Sequence, residues 1–251
     1  MTSVPDREVE PLEAAPSIAP LLARSMGAGF VRKVTRSRPS GLPRRQVRLH
    51  DVTQDVARLA AYDKVCGFTV RDNVPATWLH VLTFPLQMQL LSADDSPFSL
   101  AGIIHVTNSM TLHRPVSVGE TLALACSYGP PREHRRGVLI DLIGEVSVGD
   151  EEVWRGVSTY LVRGESLPGM LPDPGDVDLP TELPDVAADS LWRLPANLGR
   201  TYAAVSGDVN PIHLNPLAAK ALGFPRAIIH GMWTHARVLA ALENRIPAAH
   251  R

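Results

Sequence analysis

Residues 202–233 read YAAVSGDVNPIHLNPLAAKALGFPRAIIHGMW, and the fold prediction starts from this stretch. Within it, a D-x-N-P-x-H pattern is formed by Asp208, Asn210, Pro211 and His213. Proline lacks an N–H group and its ring clashes with a preceding helical turn, so we expect a tight turn at Pro211 rather than a helix. Such a turn can direct the carboxylate of Asp208 and the imidazole of His213 to one point.

Two helices are predicted downstream of this turn. Asn215 followed by Pro216 is typical of a helix N-cap and first helical residue, and this short helix should end at Gly223. A second helix should begin near Gly231, where unpaired N–H groups and the helix dipole favour an oxyanion. Its apolar residues, spaced so that they pack against a core, are Met232, Val238, Leu239, Leu242 and Ile246.

Together, Asp208, His213 and the N–H of Gly231 supply the groups needed for proton transfer beside a carbonyl. The segment resembles the MaoC-like (R)-specific enoyl-CoA hydratases and 3-hydroxyacyl-thioester dehydratases. The residues that carry the resemblance are Tyr202, Ser206-Gly207-Asp208, Asn210-Pro211 and His213, followed by Ile229-His230-Gly231-Met232. It implies the α+β hotdog fold, in which an antiparallel sheet wraps a long central helix.

The resemblance also implies roles for individual residues. Asp208 and His213 would hold the reacting water, and the N–H of Gly231 would bind the thioester oxygen. The substrate-binding residues would be Tyr202, Ser206, Asn210 and His230. One residue departs from the family pattern, since Leu239 stands where the best-known bacterial enzymes carry a serine.

Simpler interpretations of the same residues exist. Asp208 alone could cap a turn, and His213 alone could be a core histidine, but the full pattern followed by H-G-M favours catalysis. A metal site built from Asp208, His213 and His230 is a weaker alternative, because the sequence contains neither an HExxH motif nor a cysteine cluster. No metal, nicotinamide or flavin is implied, since no glycine-rich phosphate-binding loop is found.

Composition indicates an ordinary globular protein. The 251 residues, with 45% hydrophobic content and a formal net charge of −1, suffice for one large or two modest domains. The two cysteines, Cys66 and Cys126, form neither a disulfide framework nor a metal-binding spacing, which favours a reducing cytoplasm. No apolar run approaches the roughly 18 residues of a membrane span.

Residues 1–45 are expected to form a mobile N-terminus followed by a basic arm. From Ala14 to His50 the sequence contains no acidic residue and accumulates arginines. This arm could meet the phosphates of coenzyme A, an acidic carrier protein or nucleic acid, but a solvated basic face is favoured. Nucleic acid is the least favoured partner, because the chain is nearly neutral overall.

Residues 46–164 are predicted to form a first, non-catalytic hotdog. A strand over 46–52 and a helix over about 52–64 precede a central helix that should start at FPLQMQLL, followed by four apolar, β-branched strands that are separated by turn residues. The region from Tyr62 to Phe84 loosely repeats Tyr202–His230. Pro85, in the place of Gly231, has no N–H to offer an oxyanion.

Three histidines of this half, His80, His105 and His113, are interpreted as core or strand residues. In double-hotdog relatives the non-catalytic half helps to house the acyl chain, and the resemblance implies that role here. Residues 165–190 combine acidic residues with prolines, which predicts an extended linker rather than a docking segment for a partner.

Residues 191–251 are predicted to be the catalytic hotdog without its final strands. The sequence after Glu243 offers only NRIPAAHR, so the long helix would lack its cover. Truncation is the favoured explanation; a second chain that supplies the cover and an incomplete reading frame are the alternatives.

These observations predict a hydro-lyase that reversibly hydrates trans-2-enoyl thioesters, or dehydrates (3R)-3-hydroxyacyl thioesters, in fatty-acid or related lipid metabolism. The acyl group would arrive on coenzyme A or an acyl carrier protein, and we expect a cytoplasmic homodimer. The alternatives are a hotdog thioesterase and a non-catalytic acyl-binding or partner subunit.

Overall fold

The computed structural model describes residues 7–24, 41–98, 100, 103–172, 190–221 and 223–245. The strands are β1 (Glu8–Leu12), β2 (Arg45–Val52), β3 (Ile103–Leu112), β4 (Leu122–Tyr128), β5 (Arg132–His134), β6 (Gly137–Val148) and β7 (Glu151–Arg163). The helices are α1 (18–24), α2 (Val56–Cys66), α3 (Ala76–Ser92), α4 (Leu198–Ser206), α5 (Pro211–Leu214), α6 (Pro216–Ala221) and α7 (Gly231–Leu242), and a 3₁₀ turn follows at Glu243–Arg245.

One sheet of seven strands, in the order β1-β2-β4-β6-β7-β3, forms the first half, and β5 pairs with β6 off this path. All its pairings are antiparallel except the parallel pair β1–β2. In β6 buried and half-buried residues alternate, as expected for a strand with one face on a core. The hairpin between β6 and β7 turns at Gly149, whose φ of 58° suits glycine.

The sheet covers α3. Of its 17 residues 12 are buried, including Trp78 and Leu86, so this helix is enclosed on most of its surface. Antiparallel strands around a buried helix are the predicted arrangement, and the four long strands of this half lie where the sequence placed them.

The predicted start of the central helix was wrong. The helix begins at Ala76, well before Phe84, and Pro85 lies inside it. Pro75 precedes the first turn with extended backbone, which proline adopts readily at a helix start. Pro85 is therefore a residue of the helix interior, and the position equivalent to Gly231 at the helix start is held by Ala76.

The second half packs against α2 through the helices α4 and α7. The rings of Tyr62 and Tyr202 lie 6.1 Å apart between α2 and α4. Arg58 donates to the carbonyls of Val205 (2.8 Å) and Ser206 (3.2 Å) at the end of α4. From α7, the Trp233 indole donates to the Val65 carbonyl at 3.0 Å.

The predicted helix from Gly231 is confirmed, and its predicted apolar face is buried only in part. Trp233 and Ala236 are buried and Met232 packs half-buried against the core, whereas Val238 and Leu242 are exposed. This exposure agrees with the prediction that the helix lacks its cover, and the Trp233 indole fixes the side of α7 that meets α2. Ile246 lies outside the described residues.

Several predictions concern the ends and the linker. The N-terminus was predicted to be mobile, yet Glu8–Leu12 pairs with β2 along its whole length. The basic arm and the linker fall mostly outside the described residues, at 25–40 and 173–189, and the domain boundaries drawn there stay predictions. No strand follows β7 up to residue 245 within the described ranges. Among those ranges, none of the helices has both the length and the apolar character that crossing a membrane requires.

Candidate active site

The loop that carries Asp208 is shaped by side chains that bond to the backbone. Gly207 ends α4 with a φ of 81°, a conformation that favours glycine. The Ser206 hydroxyl accepts from the Asp208 N–H (3.2 Å), and the Asp208 carboxylate accepts from the Asn210 N–H (3.1 Å). The Asn210 side chain in turn accepts from the Ile212 N–H at 3.3 Å. These local bonds fix the direction of the Asp208 carboxylate.

The predicted turn at Pro211 is instead a single helical turn, α5, which Pro211 begins and Asn210 caps. Proline is compatible with a helix at this first position because its missing N–H would have no partner there. The turn ends at Asn215, whose side chain accepts from the N–H groups of Leu217 (2.7 Å) and Ala218 (3.3 Å), so the predicted cap of α6 is confirmed.

The backbone fixes His213. Its Nδ1 lies 2.9 Å from the carbonyl oxygen of Ile228. A carbonyl only accepts, so Nδ1 carries the proton and Nε2 of the neutral ring is left with a free lone pair. The Ile228 N–H donates to the Ile212 carbonyl at 3.1 Å, which fastens the two segments to each other.

His230 is buried beside the site, where it contacts the Asp208 backbone and the His213 ring. It is 1% exposed, and its Nε2 donates to the backbone carbonyl of Asp208 at 3.1 Å. Its ring stacks on His213 with 3.8 Å between centroids and lies 4.9 Å from the Tyr202 ring. Burial lowers the pKa of His230 to about 4, and the neighbouring His213 lowers it further while Asp208 opposes the change. His230 is therefore neutral near pH 7.

These groups converge. One polar atom each from Asp208, His213 and His230 lies within 4.8 Å of the other two. The Asp208 side chain is 26% exposed, so solvent and a substrate can reach it. A separation of this size lets one water molecule bond to the Asp208 carboxylate and to an imidazole nitrogen at the same time.

Gly231 begins α7 immediately after these residues. His230, the N-cap residue, makes no side-chain bond to the first turn. A Cβ at Gly231 would have no heavy atom within 4 Å, so there is open space beside the first turn of the helix. The first N–H groups of a helix have no intrahelical partner, so a thioester oxygen placed at this end of α7 could accept from them.

The comparisons with known proteins agree with this geometry. The sequence profile of the MaoC like domain matches residues 193–250. The chain is 43% identical over 214 residues to 3-hydroxyacyl-thioester dehydratase X of Mycobacterium tuberculosis, which covers 85% of this chain and 75% of the relative. The chain belongs to the MaoC-like dehydratase family.

Solved structures show the fold of the family. The crystal structure of HtdX from Mycobacterium tuberculosis matches this MaoC-like chain with a TM-score of 0.69 at 38% identity, covering 82% of this chain and 79% of the other. A MaoC-like dehydratase from Phytophthora capsici shares the fold at 22% identity, with a TM-score of 0.66 over 81% of this chain and 76% of that one. The predicted α+β hotdog fold is confirmed.

The residues predicted to bind substrate are used internally in this MaoC-like chain. Tyr202 and Ser206 are buried, and the contacts of Asn210 and His230 described above all support the loop. Direct contact of these four with substrate stays a prediction. Leu239, at the position where family members carry serine, lines a cavity of about 450 Å³ between α7 and the first half.

Asp208, His213 and His230 also have the donor set of a metal site. However, Nδ1 of His213 and Nε2 of His230 already donate to carbonyls, so each ring would bind a metal only through its other nitrogen. Nδ1 of His230 is buried without a partner among the described residues. A metal-binding histidine commonly donates its other N–H to a backbone carbonyl, so this bonding pattern suits a metal ligand as well as a water molecule.

The first half also reaches the site, through Tyr160, which the sequence did not single out, and through His105, which was interpreted only as a core or strand histidine. Burial raises the pKa of the Tyr160 hydroxyl, and the negative charge of Asp208 raises it further. Burial lowers the pKa of His105, and the charge of Asp208 partly opposes that change. Both residues lie on the inner face of the sheet of the MaoC-like first half. Only the structure brings them near Asp208, since more than one element separates them along the chain.

Proposed function

We propose that this MaoC-like dehydratase interconverts (3R)-3-hydroxyacyl thioesters and trans-2-enoyl thioesters by reversible loss and addition of water, in fatty-acid or related lipid metabolism. The observation that carries the proposal is the convergence of Asp208 and His213 at the start of α7. The similarity to 3-hydroxyacyl-thioester dehydratase X supports the same substrate class.

In the hydration direction, the Asp208 carboxylate and Nε2 of His213 hold one water. Nε2 takes a proton from the water, whose oxygen forms a bond to the β-carbon of the enoyl group. The imidazolium then delivers that proton to the α-carbon on the same face. Water is thus divided between the two carbons, and His213 returns to its neutral form.

The N-terminus of α7 stabilises the charge that develops during this step. As the water oxygen attacks, electron density moves to the thioester oxygen, and the N–H of Gly231 donates to it. Loss of one such donor typically reduces turnover by about 10²–10³. The neutral His230 beneath His213 adds no positive charge that would oppose the imidazolium.

The test is incubation of the purified protein with crotonyl-CoA. We expect the enoyl absorbance to fall without release of free thiol, and chiral analysis should identify the (3R)-3-hydroxyacyl product. Release of free thiol would instead indicate a thioesterase. Binding without any conversion would indicate the acyl-binding subunit.

Two further features stay predictions within this proposal. The substrate carrier is coenzyme A or an acyl carrier protein, and the protein acts as a cytoplasmic homodimer. Both cysteines are free and buried, which agrees with a reducing compartment.

A further inference from the structure

Eight buried polar atoms in the first half have no hydrogen-bond partner among the described residues, and three of them belong to β3 or to the part of α3 that it covers. These three are Nδ1 of His80, Nε2 of His105 and Oδ1 of Asn108. We call these residues, two from β3 and His80 from α3, the β3 polar face. A buried polar atom without a partner is costly, because its desolvation is not compensated. Three such atoms on one side of a core indicate a place where a ligand supplies the partner.

The backbone is built to bring these residues together. The register between β3 and β7 shifts between His105 and Thr107, which leaves Val106 as an extra, exposed residue. Residues three apart in a regular strand point to opposite faces, so this bulge is what keeps His105 and Asn108 on the same face. Without the bulge, Asn108 would point to the outer face.

The neighbouring side chains hold the β3 polar face in place. The His105 ring stacks on Tyr160 at 4.7 Å and on His80 at 6.2 Å between centroids. Tyr160 donates to Gln87 of α3 at 2.9 Å. The Asn108 amide nitrogen donates to the Ser158 hydroxyl at 3.0 Å. The unpartnered atoms therefore belong to side chains whose other contacts are already made.

Two of the free atoms are acceptors. The backbone of Thr107 raises the pKa of His105, as a carbonyl beside a ring N–H does. Nε2 has no partner, so Nδ1 is the nitrogen assigned to that carbonyl and Nε2 of the neutral ring is an acceptor. Burial lowers the pKa of His105 to about 4 and that of His80 to about 3, which keeps both rings neutral. A ligand that fits must bring a hydrogen-bond donor and no negative charge.

The position of the β3 polar face connects it to both the site and the cavity. Asp208 acts electrostatically on His105, and so does His235 of α7. His235 lines the 450 Å³ cavity together with Met110 and Leu112, which share the inner face of β3 with Asn108. In the proposed function, an acyl chain would extend from Asp208 toward this cavity along the inner face of β3, which carries His105 and Asn108.

We propose that the β3 polar face binds a hydroxyl group on the acyl chain, at a carbon beyond the reacting double bond. The substrate class is thereby narrowed to enoyl or 3-hydroxyacyl thioesters that carry an additional hydroxyl. The hydroxyl donates to Asn108 or His105, a bond that an unsubstituted chain or a ketone lacks. This inference rests on the proposed function for the placement of the acyl chain.

The test measures binding and turnover separately. Calorimetry gives the affinity of the full chain for octanoyl-CoA and for its analogues hydroxylated at the fifth, sixth, seventh or eighth carbon, all saturated and so inert to hydration. We expect one analogue to bind at least about tenfold more tightly than octanoyl-CoA, since an unpaired buried acceptor discriminates strongly against a ligand without the hydroxyl. The matching ketone should bind no more tightly than octanoyl-CoA.

Variants locate the effect. In Asn108→Leu and His105→Phe the ratio of the two affinities should fall toward one, whereas Thr107→Val, which changes an outward-facing neighbour, should keep it. Both affinities are measured on the same preparation of each variant. A reduced folded fraction then affects both equally and cancels in their ratio. Equal affinities in the wild type would overturn the inference and show that the β3 polar face holds ordered water only, and so would an absence of binding by the whole series. Failure to hydrate crotonyl-CoA, with the hydroxyl preference intact, would instead count against the proposed function.

Discussion

The two halves of the chain share one helical frame and differ in the segment that joins its helices. Both α2 and α4 carry a buried tyrosine, Tyr62 and Tyr202, and both end at a glycine in the left-handed conformation. In the first half residues 68–75 then lead to the buried helix α3. In the second half the longer stretch 208–230 leads to α7 and contains every residue of the candidate dyad. The two halves therefore differ in the connecting segment rather than in the helices that it joins.

The most direct test of this difference is to substitute single residues in each of the two connecting segments. Asp208→Asn and His213→Ala should each lower the turnover of an enoyl thioester by at least about 10², the range that general acid–base groups supply. Asp72→Asn, in the short connection of the first half, is the matched control and should leave turnover near that of the wild type. Steady-state kinetics measures the turnover of each variant. Normal turnover in Asp208→Asn or in His213→Ala would contradict the assignment of these two residues as the catalytic pair.

A smaller effect is expected from a substitution in α4, one of the helices that flank the connecting segments. A Cβ at Gly199 of α4 would lie 2.2 Å from the carbonyl oxygen of His213, so α4 and the dyad are in backbone contact. Gly199→Ala should therefore lower the free energy of unfolding by about 1–3 kcal/mol and reduce turnover as well.

The control for that prediction is Gly119→Ala in the first half, where a Cβ would meet nothing within 4 Å. Chemical denaturation followed by fluorescence measures both variants. If Gly199→Ala were as stable and active as Gly119→Ala, the close approach of α4 to His213 would be wrong.

A further effect is a dependence of stability on pH to which both halves contribute. Burial lowers the pKa of His80 in the first half to about 3 and of His230 in the second to about 4, from 6.5. As pH falls, these two histidines become protonated in the unfolded chain at a higher pH than in the folded chain. The free energy of unfolding should therefore decrease as pH falls from 6.5 toward 4. The slope approaches about 1.4 kcal/mol per pH unit for each fully buried histidine.

Denaturation midpoints at several pH values in this range would sharpen the comparison between the halves. His80→Leu and His230→Gln should each flatten the dependence, while His113→Ala, at an exposed histidine paired with Glu152, should leave it unchanged. An unaltered slope in both buried-site variants would show that neither histidine is held neutral by the fold.

Local signals were enough to predict much of the candidate site. The D-x-N-P-x-H pattern located Asp208 and His213, and Asn215 with Pro216 located α6, because caps and turns depend on residues near one another in the chain. Pro211 was misjudged for a similar reason, since proline is equally suited to a turn and to the first position of a helix.

Features that depend on distant partners were not predictable in this way. β1 has no strand signal of its own, contains Pro11, and exists because β2 offers a parallel edge. The exposed face of α7 is set by the bond from Trp233 to Val65 in another element. The relation of His105 to Asp208 requires both the bulge in β3 and the docking of α4 on α2.

The short run from Ile228 to Gly231 has a consequence for redesign of this enzyme. Its carbonyl at Ile228 orients His213, its His230 ring holds the backbone of Asp208, and its last N–H, at Gly231, is the proposed donor to the thioester oxygen. All three elements of the chemistry are therefore tethered to the same few peptide units. The segment that follows α5 and carries α6 is consequently the part that can be changed in length or grafted between homologues, provided that His213 keeps its contact with Ile228.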